Sequence, residues 1–150
     1  MAKGFKFKLE RIMNLKIEEE EEEKKKLVAI RKKLKEAQDH LQYLKDFCIQ
    51  MEAQLREKQK GTVKIHEIQL LHNHIRKVKE QDIPQQMILI QQIQIEEQEQ
   101  FNKYMEARIE VKKFEKLKEK ARKEYEEKEL QEEAKLIDEI ATIAAARKMQ

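Results

Sequence analysis

The chain reads as an all-α protein, two long helices folded into an antiparallel coiled-coil hairpin with the second helix the longer. Three observations predict this. Asp, Glu, Lys and Arg make up 42% of the 150 residues, against about 25% in an ordinary compact domain. Two Gly, one Pro and no Ser leave little turn-forming chemistry, because tight turns draw on Gly, Pro, Asn, Asp and Ser. Apolar side chains fall at Leu27, Ile30, Leu34, Ala37, Leu41, Leu44, Cys48, Met51 and Leu55, in steps of three and four without a miss. That period of 3.5 is the seam of a helix packed along a partner helix. A sheet-based fold, a Rossmann domain and a phosphate-cradling loop are excluded together.

The first helix is expected over about residues 5–59. Met13 and Leu9 stand in phase with the seam, while Lys16, Glu20 and Glu23 fill the positions between. The acidic run Glu18 to Glu23 reads as a solvated helix face, steadied by Lys24 to Lys26 at i,i+4 spacing. The opening Phe5, Phe7, Leu9 and Ile12 is apolar and sits at a free end. Gly61 can end the helix in the left-handed conformation, and Thr62 can cap the next one. The turn is therefore placed at 60–62 and the second helix at about 63–147, all in one hairpin domain over 1–150.

The second helix is given its own seam at Ile65, Ile68, His72 and Ile75, with His72 a polar residue that fixes register. Asp82-Ile83-Pro84 interrupts it. Proline lacks an N–H and should kink or restart the helix there, with Asp82 as cap of a restart. The segment MILIQQIQI at 87–95 is apolar nearly all round. Its alternation Gln92, Ile93, Gln94, Ile95 has a strand reading, outweighed by helical flanks. Beyond Phe101 the pattern continues through Tyr104, Val111, Phe114, Leu117 and Ala121 with phase slips. Near the end Leu130, Ala134, Ile137, Ala141 and Ala144 form one stripe, and Leu136, Ile140 and Ile143 a second.

At about 1.5 Å per residue the helices would be about 85 and 130 Å long. Folded about Gly61, residue i would face roughly residue 120 − i, so Leu44 would meet Ile75 and Ile30 would meet Ile90. The first helix would run out opposite about residue 119, leaving the rest as an overhang. A wide apolar face without a cover marks an interaction site. Ile137, Ile140 and Ile143 would supply its buried area, while Arg147 suits a helix C-terminus and an acidic rim. A second surface is read near the turn, where Leu71, Ile75 and Val78 fall at i, i+4 and i+7, the spacing of anchors for a groove. The competing reading is that those three broaden the internal seam.

Catalytic chemistry is not in view. His72 and His74 are two apart and cannot chelate as an i,i+4 pair would. His40 and His66 have no matching cluster, so no metal and no cofactor is expected. A two-helix rod offers no cleft in which to desolvate paired carboxylates. The single Cys48 cannot form an intramolecular disulfide and fits a reducing compartment. No apolar run approaches the roughly 18 residues of a membrane span, and the opening lacks the apolar stretch of a secretory signal. The net charge of +3 is small and its signs interleave, so nucleic acid is not an expected partner. The expectation is a cytoplasmic protein, monomeric when free.

The opening FKFKLERIMNLKIEEEEEEKKKLVAIRKKLKEAQDHL, residues 5–41, resembles the start of the FliJ family. The likeness lies in the aromatic-basic Phe5 and Phe7, the triplet Leu9-Glu10-Arg11, the acidic run and the heptads after it. The end LIDEIATIAAARK, residues 136–148, is similar to that family's C-terminus. The Gln-rich MILIQQIQI segment and Pro84 depart from its pattern. The resemblance implies a coiled-coil stalk like that of the rotary ATP synthase gamma subunit. It implies a non-enzymatic component of the bacterial flagellar type III export apparatus, at the inner face of the cell membrane at the flagellar base. Implied partners are the hexameric export ATPase, the cytoplasmic domain of the export gate, and export chaperones. On this reading the paired termini (Phe5, Phe7, Leu9, Ile137, Ile140, Ile143 and Arg147) face the ATPase, and Leu71, Ile75 and Val78 face the gate.

Three rival readings compete with this one. A peripheral-stalk or cytoskeletal coiled coil would dimerise through the heptads, whereas a stalk hairpin stays monomeric at micromolar concentration. A prefoldin-type holdase would need strands at the hairpin tip, for which the turn has no room. A nucleic-acid clamp would need a basic face and a steep salt dependence.

Overall fold

A computed structural model of the chain describes residues 4–61 and 64–149. It is an all-α helical hairpin, with 93% of the described residues helical. The first arm is α1, Glu10–Gln59. The second arm comprises α2, Ile65–Lys77, a π-helical turn over Val78–Asp82, and α3, Ile83–Lys148. No strand occurs among the described residues, and Gln92 to Ile95 lie within α3. By contacts the chain forms two compact units, residues 23–104 and residues 1–22 with 105–150.

In the unit of residues 23–104, the heptad seam of α1 packs as its spacing predicts. All nine seam residues from Leu27 to Leu55 are buried or half-buried. Ala37, Ile90 and Ile93 form one cluster, flanked by Ile30, Leu34 and Leu41. Leu44, Cys48 and Val78 form another, flanked by Phe47 and Ile83. Each well-buried aliphatic side chain contributes about 1.5–3 kcal/mol. Ion pairs such as Arg31–Glu97 at 3.4 Å and Lys33–Glu96 at 3.7 Å lie on the exposed flanks and add little.

The register differs from the expected one. The Gln86 amide donates to the Ala37 carbonyl at 2.8 Å, and the Gln100 amide to the Glu23 carbonyl at 3.1 Å. Both pairs sum to 123, so the second arm is displaced by nearly one helical turn from the anticipated 120. Leu44 consequently meets Val78. The difference arises at the connection, where Lys60, Gly61 and Lys64 all lie outside the helices. Gly61 does not adopt a left-handed conformation. α1 ends instead in a tightened turn, with Lys60 N–H on Glu57 O at 3.2 Å and Gly61 N–H on Lys58 O at 3.4 Å. Thr62, expected as a cap, lies outside the described residues. Lys64 takes the N-cap position of α2 with extended backbone and no side-chain cap.

The seam of the second arm is Ile68, Leu71, Ile75 and Val78, not Ile65, Ile68, His72 and Ile75; Ile65 and His72 are exposed. Past Val78 the seam runs through Ile83, Gln86, Ile90, Ile93, Glu97, Gln100 and Tyr104, all buried or half-buried. The step from Val78 to Ile83 is five residues, and the Ile83 N–H bonds the Val78 carbonyl, the i→i+5 bond of a π turn. A regular α-helix would have brought Asp82, Gln85, Leu89, Gln92 and Glu96 to the seam instead. The extra residue thus puts the downstream apolar series in phase with the upstream one. It also widens the turn just before Pro84, whose ring would clash with the carbonyl four residues back in a regular helix. The interruption foreseen at Pro84 is this widened turn. Asp82 sits inside it and Ile83 keeps right-handed helical backbone, so no capped restart occurs.

Cys48 is 4% exposed and unpaired. Burial pushes its thiol above the ordinary value, Lys79 opposes this, and Glu52 and Asp82 add to it. The fold therefore disfavours the thiolate. Stability linked to this group is fully present below the thiol's unfolded value and is lost as pH rises from there through its raised folded value. Modification of Cys48 by an aromatic disulfide reagent at pH 8 should be slow in the native protein and fast in denaturant. Equal rates in both would contradict the packing.

Candidate interaction surface at the paired ends

The unit of residues 1–22 and 105–150 brings the two ends of the chain together. Its first described segment is not helical, contrary to the expected start near residue 5. Residues 4–7 have no regular structure, and α1 begins at Glu10. Burial alternates along this lead-in: Phe5, Phe7 and Leu9 are half-buried, while Lys6 and Lys8 are exposed. A period of two is the pattern of extended backbone, and it stands in FKFKL as written.

The lead-in packs on α3. The Phe5 and Tyr125 rings lie 5.6 Å apart at 49°. The Tyr125 hydroxyl donates to Glu129 at 2.9 Å, and that bond with nearby carboxylates pushes its ionisation upward. Lys118 Nζ reaches the Glu10 carboxylate at 3.0 Å. Met13 and Val111 are the buried residues of this unit. Phe7 and Leu9 line a shallow groove with Leu117, Ala121, Lys6, Lys8, Lys120 and Glu124.

Cover stops soon after. Glu129 is half-buried, and every residue from Leu130 to Met149 is exposed. The overhang foreseen from about residue 120 therefore begins at 130, because the lead-in extends over Ala121 and Tyr125. Ile137, Ile140 and Ile143 are 64%, 58% and 54% exposed. Ile140, Ile143, Ala144 and Arg147 line one hollow on this helix. Of the seven residues assigned to the paired termini, Phe5, Phe7 and Leu9 thus form a packed base, while Ile137, Ile140, Ile143 and Arg147 lie open beyond it.

The residues read as a second surface are placed otherwise. Ile75 and Val78 are 5% and 3% exposed. Val78 packs against Leu44 and Cys48, and Leu71 is half-buried. They are the seam of the second arm, so the reading of this stripe as an open anchor face is corrected to an internal one. The sequence could have shown it: Leu71, Ile75 and Val78 continue the steps of three and four that Ile68 begins.

Among the described residues no cluster of His, Cys, Asp and Glu could hold a metal ion. No helix there is long and apolar enough to cross a membrane. No curated protein and no solved structure matches the chain. The family model described as flagellar FliJ protein matches residues 5–150, which takes in the lead-in, both arms and the exposed C-terminal helix. The chain belongs to the FliJ family, and is thereby a component of the flagellar type III export apparatus.

Proposed function

We propose that the protein is a non-enzymatic stalk that docks on the hexameric export ATPase through its paired ends, promotes assembly and turnover of that ATPase, and links it to the export gate and to export chaperones. It would work at the cytoplasmic face of the membrane, held there by its partners. The observation that carries this reading is the uncovered apolar helix from Leu130 to Met149, adjoining a base where Phe5, Phe7 and Leu9 are already packed. A helix that is apolar on two stripes and has no intramolecular cover gains most from insertion into another protein. Contact with the gate is assigned to the turn end of the 23–104 unit, where Leu71 is the least buried of the three residues first considered.

Ile140→Asp tests the docking. The side chain is exposed, so helicity and melting should be unchanged. Association with the ATPase, measured by sedimentation, should fall about tenfold or more, as expected for loss of a buried apolar anchor. Unchanged association would refute the assignment.

A further inference from the structure

We infer that the groove between the lead-in and α3 receives an acidic amphipathic helix from the partner docked at these ends; the inference rests on the docking reading above. The groove has an apolar floor of Phe7, Leu9, Leu117 and Ala121. Its rim carries Lys6, Lys8 and Lys120, with Glu124 the one acid among the lining residues. None of those three lysines has a carboxylate partner among the described residues, whereas Lys118, Lys113 and Arg122 nearby are engaged by Glu10, Glu110 and Glu126.

The charge around this groove is concentrated, which the linear sequence hides. Residues 4–11 and 112–123 together hold ten Lys and Arg against three Glu, an excess of seven, while the whole chain has an excess of three. The remainder of the chain is therefore net acidic, and the positive charge is gathered where these two segments meet. The acidic run starts only at Glu18, about 12 Å along α1 from Glu10.

That combination selects its occupant. The alternation of the lead-in turns Phe7 and Leu9 inward and leaves Lys6 and Lys8 outside, roughly 7 Å apart along extended backbone. A helix with an apolar stripe and carboxylates on both flanks fills the floor and meets the rim lysines. A nucleic-acid backbone would satisfy the lysines but has no apolar stripe for the floor. Rim charges of this kind act mainly on association rate and its salt dependence.

The test compares the full-length protein with a K6E/K8E/K120E variant, whose changes are all at exposed positions. Two binding probes are used, with phosphatidylserine vesicles as a control. One is the cognate ATPase. The other is a fluorescent synthetic peptide with Leu at i, i+4 and i+7 flanked by Glu, beside a scrambled peptide of equal charge. Circular dichroism should show equal helicity in both proteins. The variant should bind ATPase and amphipathic peptide at least about tenfold more weakly, and wild-type binding should weaken steeply with salt. The scrambled peptide should bind neither protein. If the variant holds both probes as tightly as wild type, the groove inference fails. It fails equally if the variant loses only binding to phosphatidylserine vesicles, which would make the groove a lipid site. A wild-type protein that takes the peptide but not the ATPase would instead sink the docking reading and leave the groove chemistry standing.

Discussion

Deleting Gln98 should dismantle the pairing of the second arm beyond it, whereas deleting Gln81 should do limited and repairable damage. Loss of Gln98 would rotate the downstream helix by one residue. Phe101, Met105, Lys112 and Glu115 would then replace Gln100, Tyr104, Val111 and Phe114 on the packed side. Val111 is 4% exposed, and its loss alone removes about 1.5–3 kcal/mol. Burying Lys112 without a partner in its place costs more. Loss of Gln81 acts differently, because the π turn already holds one surplus residue there. Val78 and Ile83 would become four apart, which preserves the seam in a regular helix. The cost that remains is the Pro84 ring, about 3 kcal/mol, or a fall in melting midpoint of about 6–12 °C for a chain of this size. Adding Pro84→Ala to the Gln81 deletion should restore the midpoint. If the double variant melts no higher than the single deletion, the phase-correcting role given to the π turn is wrong.

Ile93→Asp should be the most damaging single substitution. Ile93 is 2% exposed, packed with Ala37 and Ile90 and flanked by Ile30, Leu34 and Leu41. The change removes an aliphatic side chain from the best-covered position and puts an unpaired carboxylate there. Truncation alone costs about 2–5 kcal/mol, and the uncompensated charge adds several more unless the carboxyl protonates. Far-ultraviolet dichroism should show reduced helix content at pH 7, partly recovered near pH 4 where the carboxyl is neutral. Ile88→Asp, at an exposed position of the same helix, should leave the midpoint almost unmoved. Equal effects at the two sites would contradict the assigned seam.

The first arm was legible in the sequence because its heptads run unbroken from Leu27 to Leu55. The second arm was not, and the reason is local. Its apolar series belongs to two phases joined by one surplus residue, and a reader counting threes and fours sees slips instead. Upstream of that residue the ambiguity is another: between Ile68 and Ile75 both His72 and Leu71 fit steps of three and four, and with His72 on the seam Leu71, Ile75 and Val78 read as a separate outward stripe. The lead-in is written in the alternation of FKFKL, but five residues are too short a signal to stand out against the helical sequence that follows.

The open helix carrying Ile137, Ile140 and Ile143 was foreseeable, because a shorter arm must leave the longer one uncovered. The basic groove was not foreseeable. Lys6 and Lys120 are 114 positions apart, and only folding makes them neighbours.

The interior offers no side chain that is completely shut off from solvent among the described residues. It is a string of small layers, such as Ala37 with Ile90 and Ile93, then Leu44 with Cys48 and Val78. Each layer leans only on its neighbours, as the modules of a repeat protein do. Heat should therefore loosen such an interior like a zip, its least-covered teeth fraying ahead of the main transition.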